Sequence, residues 1–167
     1  MKRQMRGSLI LFISVAVLLT GCGAVIAGDD HICPVTTRPE PAFIPPPYYE
    51  GQEPFEGAFW FGGDGLWTML RDEAWSDLPL SQDGYVQKLF WWADGYVWDE
   101  EPNPVFLLRG ERLDGKAAMI ESVEATNAFS EYGSSILTGV AIPTEGCWQF
   151  SGSYQGESLS FVVEVKP

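Results

Sequence analysis

From Gly57 to the C-terminus, apolar side chains recur at alternate positions in short runs, and Gly, Asp or Pro breaks them at close intervals. That spacing predicts β-strands. The runs are Ala58–Phe61, Leu66–Leu70, Val86–Ala93, Val105–Arg112, Ala118–Ser122, Thr126–Phe129, Ser135–Ile142, Cys147–Tyr154 and Ser158–Val165. Four Asp-Gly pairs, at 64–65, 83–84, 94–95 and 114–115, mark turns. Asp tolerates unusual backbone angles there, and Gly supplies positive φ. No stretch keeps a 3.6-residue period over three turns, so no helix is expected. The last two runs give the clearest signal. Leu159, Phe161, Val163 and Val165 share one face of their strand. Trp148, Phe150 and Tyr154 share one face of the strand before it, and Gln155-Gly156 supplies the hairpin turn. Cys147 then points away from the core face.

This number of short strands in about 110 residues fits an immunoglobulin-like antiparallel β-sandwich, with a small β-barrel as the alternative. The segment from Gly146-Cys147-Trp148 through Ser158-Leu159-Ser160-Phe161-Val162-Val163-Glu164-Val165 resembles the final hairpin of immunoglobulin-like domains in uncharacterised bacterial exported proteins. The spacing of Phe59-Trp60-Phe61-Gly62, Leu66-Trp67-Thr68 and Phe90-Trp91-Trp92 is similar to theirs as well. The resemblance implies architecture and location, not an activity. The Cys-to-Trp order of antibody domains is absent, so Cys33 and Cys147 are not expected to form their inter-sheet bridge.

The first residues follow another pattern. Lys2, Arg3 and Arg6 precede an uncharged apolar run from Leu9 to Leu19. The run has the length of a signal-peptide core and falls short of the ~20 residues that span a bilayer. It ends in Leu19-Thr20-Gly21-Cys22, which resembles the lipobox of bacterial lipoproteins. The resemblance implies a signal peptide over residues 1–21, a diacylglycerol on the Cys22 thiol, and anchoring of the mature chain in a bilayer. Gly23 rather than Asp after that cysteine resembles the pattern exported to the outer membrane of a two-membrane cell. Cleavage before Cys22 leaves 146 residues. It removes three bases and no acid, so the formal charge falls from −13 to −16. Such an acidic body is repelled by anionic head groups and stands off the membrane.

Two cysteines then remain. In an exported chain Cys33 and Cys147 read as a disulfide. Free thiols or a metal site are the alternatives, the latter with only His31 near Cys33. Residues 22–33 read as a lipidated tether. Residues 34–56 form a proline-rich extended segment, with seven of the twelve prolines between positions 34 and 54. Polyproline II suits such a run. It is either a spacer or, if Cys33 is bonded to Cys147, a strap laid over the β domain of residues 57–167.

Composition adds one question. Six of the seven tryptophans lie between residues 60 and 98. Alternation puts Phe90 and Trp92 on one face of their strand and Leu89 and Trp91 on the other. It likewise sets Trp67 and Met69 against Leu66 and Leu70. A sandwich buries one face of each sheet, so a second apolar face needs a cover or a ligand. Three readings follow. The proline-rich segment covers the face, with Phe43, Ile44, Tyr48 and Tyr49 adding contacts. Alternatively, Trp60, Trp67, Trp91, Trp92 and Trp98 form a glycan-stacking platform, or the face binds an envelope protein.

Catalytic and cofactor signals are weak. There is a single histidine, His31, and no nucleophile elbow, Walker loop, dinucleotide fingerprint or zinc-protease motif. A pair of carboxylates acting as a hydrolase is a remote alternative. Asp94 with Asp99-Glu100-Glu101 reads as a solvated turn rather than a calcium site. With 23 acids against ten bases, nucleic acid is an unsuitable partner. The expectation is therefore a non-catalytic binding or structural lipoprotein of the cell envelope, without cofactor.

Overall fold

The computed structural model describes residues 32–46 and 53–167. Cys22 and the expected leader, His31, Tyr48 and Tyr49 lie outside them. The described residues form ten strands and no helix. They are β1 (Ala58–Gly62), β2 (Leu66–Arg71), β3 (Leu80–Ser81), β4 (Gly84–Ala93), β5 (Leu107–Arg112), β6 (Ile120–Ser122), β7 (Ala125–Ser130), β8 (Gly133–Ile142), β9 (Gly146–Tyr154) and β10 (Glu157–Val165). All sheet pairings are antiparallel. One sheet runs β1-β2-β4-β8-β7, with β3 also on β4, and the other runs β10-β9-β5-β6. Two separate sheets make a β-sandwich rather than a closed barrel.

The period-two pattern places the core. From the first sheet come Phe59, Leu66, Leu70, Leu89, Trp91, Ile136, Val140 and Ile142. Leu108, Trp148, Phe150, Phe161, Val163 and Val165 face them from the second. Trp91 is fully buried, and its ring centroid lies 5.0 Å from Phe106 and 5.7 Å from Phe161. The site requires a glycine opposite. A Cβ on Gly152 of β9 would lie 2.6 Å from the Trp91 ring and 2.6 Å from Phe106. The hairpin turn Gln155-Gly156 has φ of 48° and 92°, positive at both central residues, which matches the right-handed twist of the strands it joins.

Two expected boundaries are corrected, and the short strand β3 and an isolated bridge at Trp75 are added. The run from Val105 enters its strand only at Leu107, and the run from Ala118 only at Ile120. Residues 72–79, where no strand was expected, carry Trp75 into the core, stacked on Phe150 at 5.6 Å. Trp75 also bridges to the C-terminal strand, through Trp75 N–H to Glu164 O and Lys166 N–H to Trp75 O, both 2.9 Å.

The N-terminal segment is laid against the sandwich. Cys33 is bonded to Cys147 with S–S of 2.06 Å, joining positions 114 residues apart. Cys147 is buried, yet it faces away from the side of β9 that carries Trp148 and Phe150, as its strand parity requires. Thr36 then pairs with the outer edge of β10. Its N–H donates to Val162 O at 2.9 Å, and its Oγ1 accepts from Val162 N–H at 2.8 Å. Together Thr36 and Trp75 occupy part of an edge that would otherwise invite another strand. Arg38 continues the strap. Its guanidinium donates to Ala58 O at 3.0 Å and to Asp72 at 2.9 Å, and lies 5.4 Å from the Phe59 ring centroid.

Candidate functional site: the outer aromatic face and its cleft

The outer face of the first sheet is built by the residues that alternate with the core. Trp60 of β1, Trp67 of β2 and Trp92 of β4 form a second buried cluster, with Phe43, Met69 and Tyr132 packed against it. Trp60 meets Trp92 edge-on at 4.9 Å and Tyr132 at 5.8 Å. Trp92 Nε1 donates to Tyr132 O at 2.9 Å. Three indoles side by side would expose a large apolar patch. Phe43 of the proline-rich segment and Tyr132 of the β7–β8 turn cover it instead. Ile44 stays outside, 68% exposed.

Beside this cover, β2 and β4 part company. They pair only at Leu66↔Ala93, Trp67↔Trp92 and Thr68↔Trp91. Thr68 Oγ1 donates to Phe90 O at 2.7 Å at the point where the ladder ends. Beyond it lies a cleft of about 340 Å³, lined by Phe55, Met69, Arg71, Trp75, Gln87, Lys88, Leu89, Phe90, Trp92, Ser130 and Tyr132. Its inner end is made by buried Trp75 and Leu89, and its rim by exposed Phe55, Arg71, Lys88 and Phe90. The volume lies at the lower end of the range for small-molecule sites, and the lining has the usual composition of apolar walls with few polar groups.

The charges of the rim follow from strand parity. On β2 the outward row is Trp67, Met69, Arg71. On β4 it is Trp92, Phe90, Lys88, running the opposite way. With Trp67 opposite Trp92, continued pairing would set Arg71 against Lys88. Like charges directly opposed destabilise a sheet, and the strands are apart there. Arg71 instead lies over Phe55, 5.7 Å from its centroid. Among the described residues no carboxylate lines this cleft, although Arg71 also borders a neighbouring hollow with Glu56 and Glu73.

The residues singled out in the sequence separate into three places. Trp60, Trp67 and Trp92 share the outer cluster. Trp91 is enclosed between the sheets and offers no face to a ligand. Trp98 lies away from both clusters, 38% exposed and 5.7 Å from the ring of exposed Phe129. Cys33 and Cys147 belong to the strap. Glu101 of the acidic run serves the fold. Its Oε2 accepts a short hydrogen bond from the Tyr154 hydroxyl, and its backbone oxygen accepts from Tyr96 at 3.0 Å. Burial first, then the Glu101 charge, pushes the Tyr96 hydroxyl up to about 12. Burial and the Glu101 hydrogen bond raise Tyr154 as well. Among the described residues no three His, Cys, Asp or Glu side chains converge as a metal site.

Arg71, Lys88, Phe55 and Tyr132 escaped sequence reasoning. The signal for the two bases was present. In Trp-x-Met-x-Arg and Lys-x-Phe-x-Trp, each base sits on the aromatic face of its own strand. Nothing comparable marks Phe55 or Tyr132, which reach the cleft from loops.

A comparison of the chain with protein-family models, with curated proteins and with solved structures finds no match.

Proposed function

We propose that the protein is an exported lipoprotein of the cell envelope, held to a bilayer by acylated Cys22, whose immunoglobulin-like sandwich acts as a non-catalytic small-molecule binding module. The observation that carries the binding role is the cleft at the divergence of β2 and β4. It is roomy enough for a ligand, apolar within, and polar only at defined points of its rim. Among the described residues its lining holds neither histidine nor carboxylate. Support for the anchor is the order of basic residues, apolar run and Leu19-Thr20-Gly21-Cys22.

A labelling experiment tests the anchor. In bacterial cells supplied with radioactive palmitate, the wild-type chain takes up label and sediments with membranes. Cys22→Ser takes up none and leaves the membrane fraction. Equal labelling of both would remove Cys22 as the acylated residue. A second reading, glycan binding, is favoured by one observation. Trp98 and Phe129 are exposed aromatic rings beside each other, with acidic Asp99 and Glu100 adjacent in sequence. On a glycan array, this reading expects binding that Trp98→Ala abolishes and Trp92→Phe does not.

A further inference from the structure

We infer that the cleft takes a small free organic anion, its acidic group held between Arg71 and Lys88 and its apolar or aromatic body lying against Phe55, Phe90 and Trp92. The inference rests on the reading of the domain as a binding module and names the ligand class of that site.

Three independent features converge on it. The first is the distribution of cations. Of the seven bases in the described residues, Arg38, Arg109, Arg112 and Lys166 each have a carboxylate within 4.0 Å. The other three are Arg71, Lys88 and Lys116, and two of these line one cleft. In a chain with more than two acids per base, two cations share this cavity with no acid among its described lining residues, unlike the four described bases that have carboxylate partners. Neither side chain donates a hydrogen bond to a described residue. The Phe55 ring meets the Arg71 guanidinium without consuming its N–H donors. A planar fork of that kind suits a carboxylate, sulfonate or phosphate.

The second feature is register. Parity brings both bases to the same end of the same face, at the level where the ladder has stopped. An anion between them would relieve the repulsion that strand pairing could not accommodate. The third is the apolar interior. Aromatic edges and Met69 favour a ring or short chain attached to the anion, and about 340 Å³ holds one or two rings. A diacyl lipid is far larger, which favours a free molecule over a lipid head group.

Calorimetry on the membrane-extracted protein in phosphatidylcholine nanodiscs tests this, with empty discs subtracted. The probes are naphthalene-2-carboxylate and its neutral isostere naphthalene-2-carboxamide. In low salt the acid should bind at least tenfold more tightly than the amide. The gap should close to within about twofold in 1 M salt, where the screening length is about 3 Å. The variant R71Q/K88Q should lose the preference, and K116Q, which alters the third unpaired base, should keep it. Both substituted sites are exposed, and an unchanged urea midpoint establishes that the variants are folded. Equal affinity for acid and amide would overturn the anionic assignment, and absence of binding by either would overturn the cleft as its site. Retained preference in R71Q/K88Q would place the anion elsewhere. Displacement of the acid by phosphatidylglycerol vesicles, with none by phosphatidylcholine, would overturn a free molecule in favour of a lipid. Equal binding of acid and amide would leave the binding module standing and remove only its anionic ligand, whereas absence of binding by both would count against the module itself, so the two failures are distinguishable.

Discussion

Trp91 and Trp92 are neighbours in the chain and lie on opposite sides of one sheet. Trp91 faces the second sheet, is fully buried, and hydrogen-bonds through Nε1 to Thr138 Oγ1 at 3.0 Å. Trp92 faces outward and is also buried, yet among the described residues its cluster is covered by a loop tyrosine and one phenylalanine from a segment without secondary structure. The inner face is closed by a second hydrogen-bonded sheet. Among the described residues the outer cluster is covered by Phe43 and Tyr132, from two separate pieces of chain, and a cleft lies beside them where β2 and β4 diverge. Burial of an indole therefore says little about how firmly its surroundings are fixed. What matters is whether the covering element is itself held by a hydrogen-bonded ladder. A cover without its own ladder predicts lower local stability on the outer side, the end from which binding surfaces are usually drawn.

The comparison can be broken first at its strong side. Trp91→Ala should cost about 3–5 kcal/mol, the range for a large aromatic removed from a core. Gly152 and Phe106 pack directly on the ring and cannot close over the void. Urea denaturation followed by far-ultraviolet circular dichroism measures the loss. A cost near 1 kcal/mol would show that the inner face is no better fixed than the outer. Next comes the strap. Removing the Cys33–Cys147 bond with paired Ser substitutions should cost about 2–5 kcal/mol, because a long loop is released in the unfolded chain. Acrylamide should then reach more of the tryptophan fluorescence, since Phe43 is held on the outer cluster by the same strap. Unchanged quenching would mean that Thr36 and Arg38 hold the strap unaided.

Phe43→Ala sharpens the contrast further. Phe43 is half-buried, so its loss should cost about 1–2 kcal/mol, below the range for a fully buried aromatic. The diagnostic readout is again quenching. Trp60 and Trp92 should become accessible while Trp75, Trp91 and Trp148 stay shielded. Quenching equal to that of the wild type would mean that Phe43 is dispensable as a cover.

Much of this architecture could be read directly from alternation. The nine expected strands all exist, and the opposed faces at Leu66–Leu70 and at Leu89–Trp92 are those observed. The pairing of Cys33 with Cys147, and a proline-rich segment laid against the sandwich, were among the readings the sequence left open. Period two sufficed where a strand carries a nearly unbroken apolar row, as at Leu66–Leu70, Leu89–Trp92, Trp148–Tyr154 and Leu159–Val165. The misses have physical reasons. Trp75 sits between Glu73, Ala74 and Ser76 with no alternating neighbours, and its burial depends on a single bridge to β10. Residues 105–106 look like strand, yet they make no ladder pair, although Phe106 is buried. The cleft was legible only in part. Parity places Arg71 and Lys88 on the aromatic face, whereas the divergence of β2 from β4 depends on tertiary register. The glycan platform drawn from tryptophan abundance grouped side chains that the fold distributes over the core, the outer cluster and one exposed loop.

The smallest expected effect is a pH dependence confined to the inner side, where Tyr96 and Tyr154 meet edge-on at 5.8 Å beside Glu101. Both hydroxyls are raised above 10 in the folded chain, by burial first and by Glu101 next. The neutral phenols are therefore the forms the fold prefers. Their contribution is complete below pH 10, where the unfolded chain also carries neutral tyrosine. It is lost as pH rises from 10 towards about 12, because the unfolded chain ionises first. The urea midpoint should be level between pH 8 and 9.5 and then fall. In Glu101→Gln the negative charge is gone, burial remains the main cause that raises the two groups, and the fall should be shallower. Phe43→Ala should leave its slope unchanged, because the outer cover touches neither tyrosine. If Glu101→Gln keeps the full slope, burial accounts for both tyrosines. If Phe43→Ala alters it, the two faces are coupled through the sheet, and the outer cover contributes to the stability of the core it lies behind.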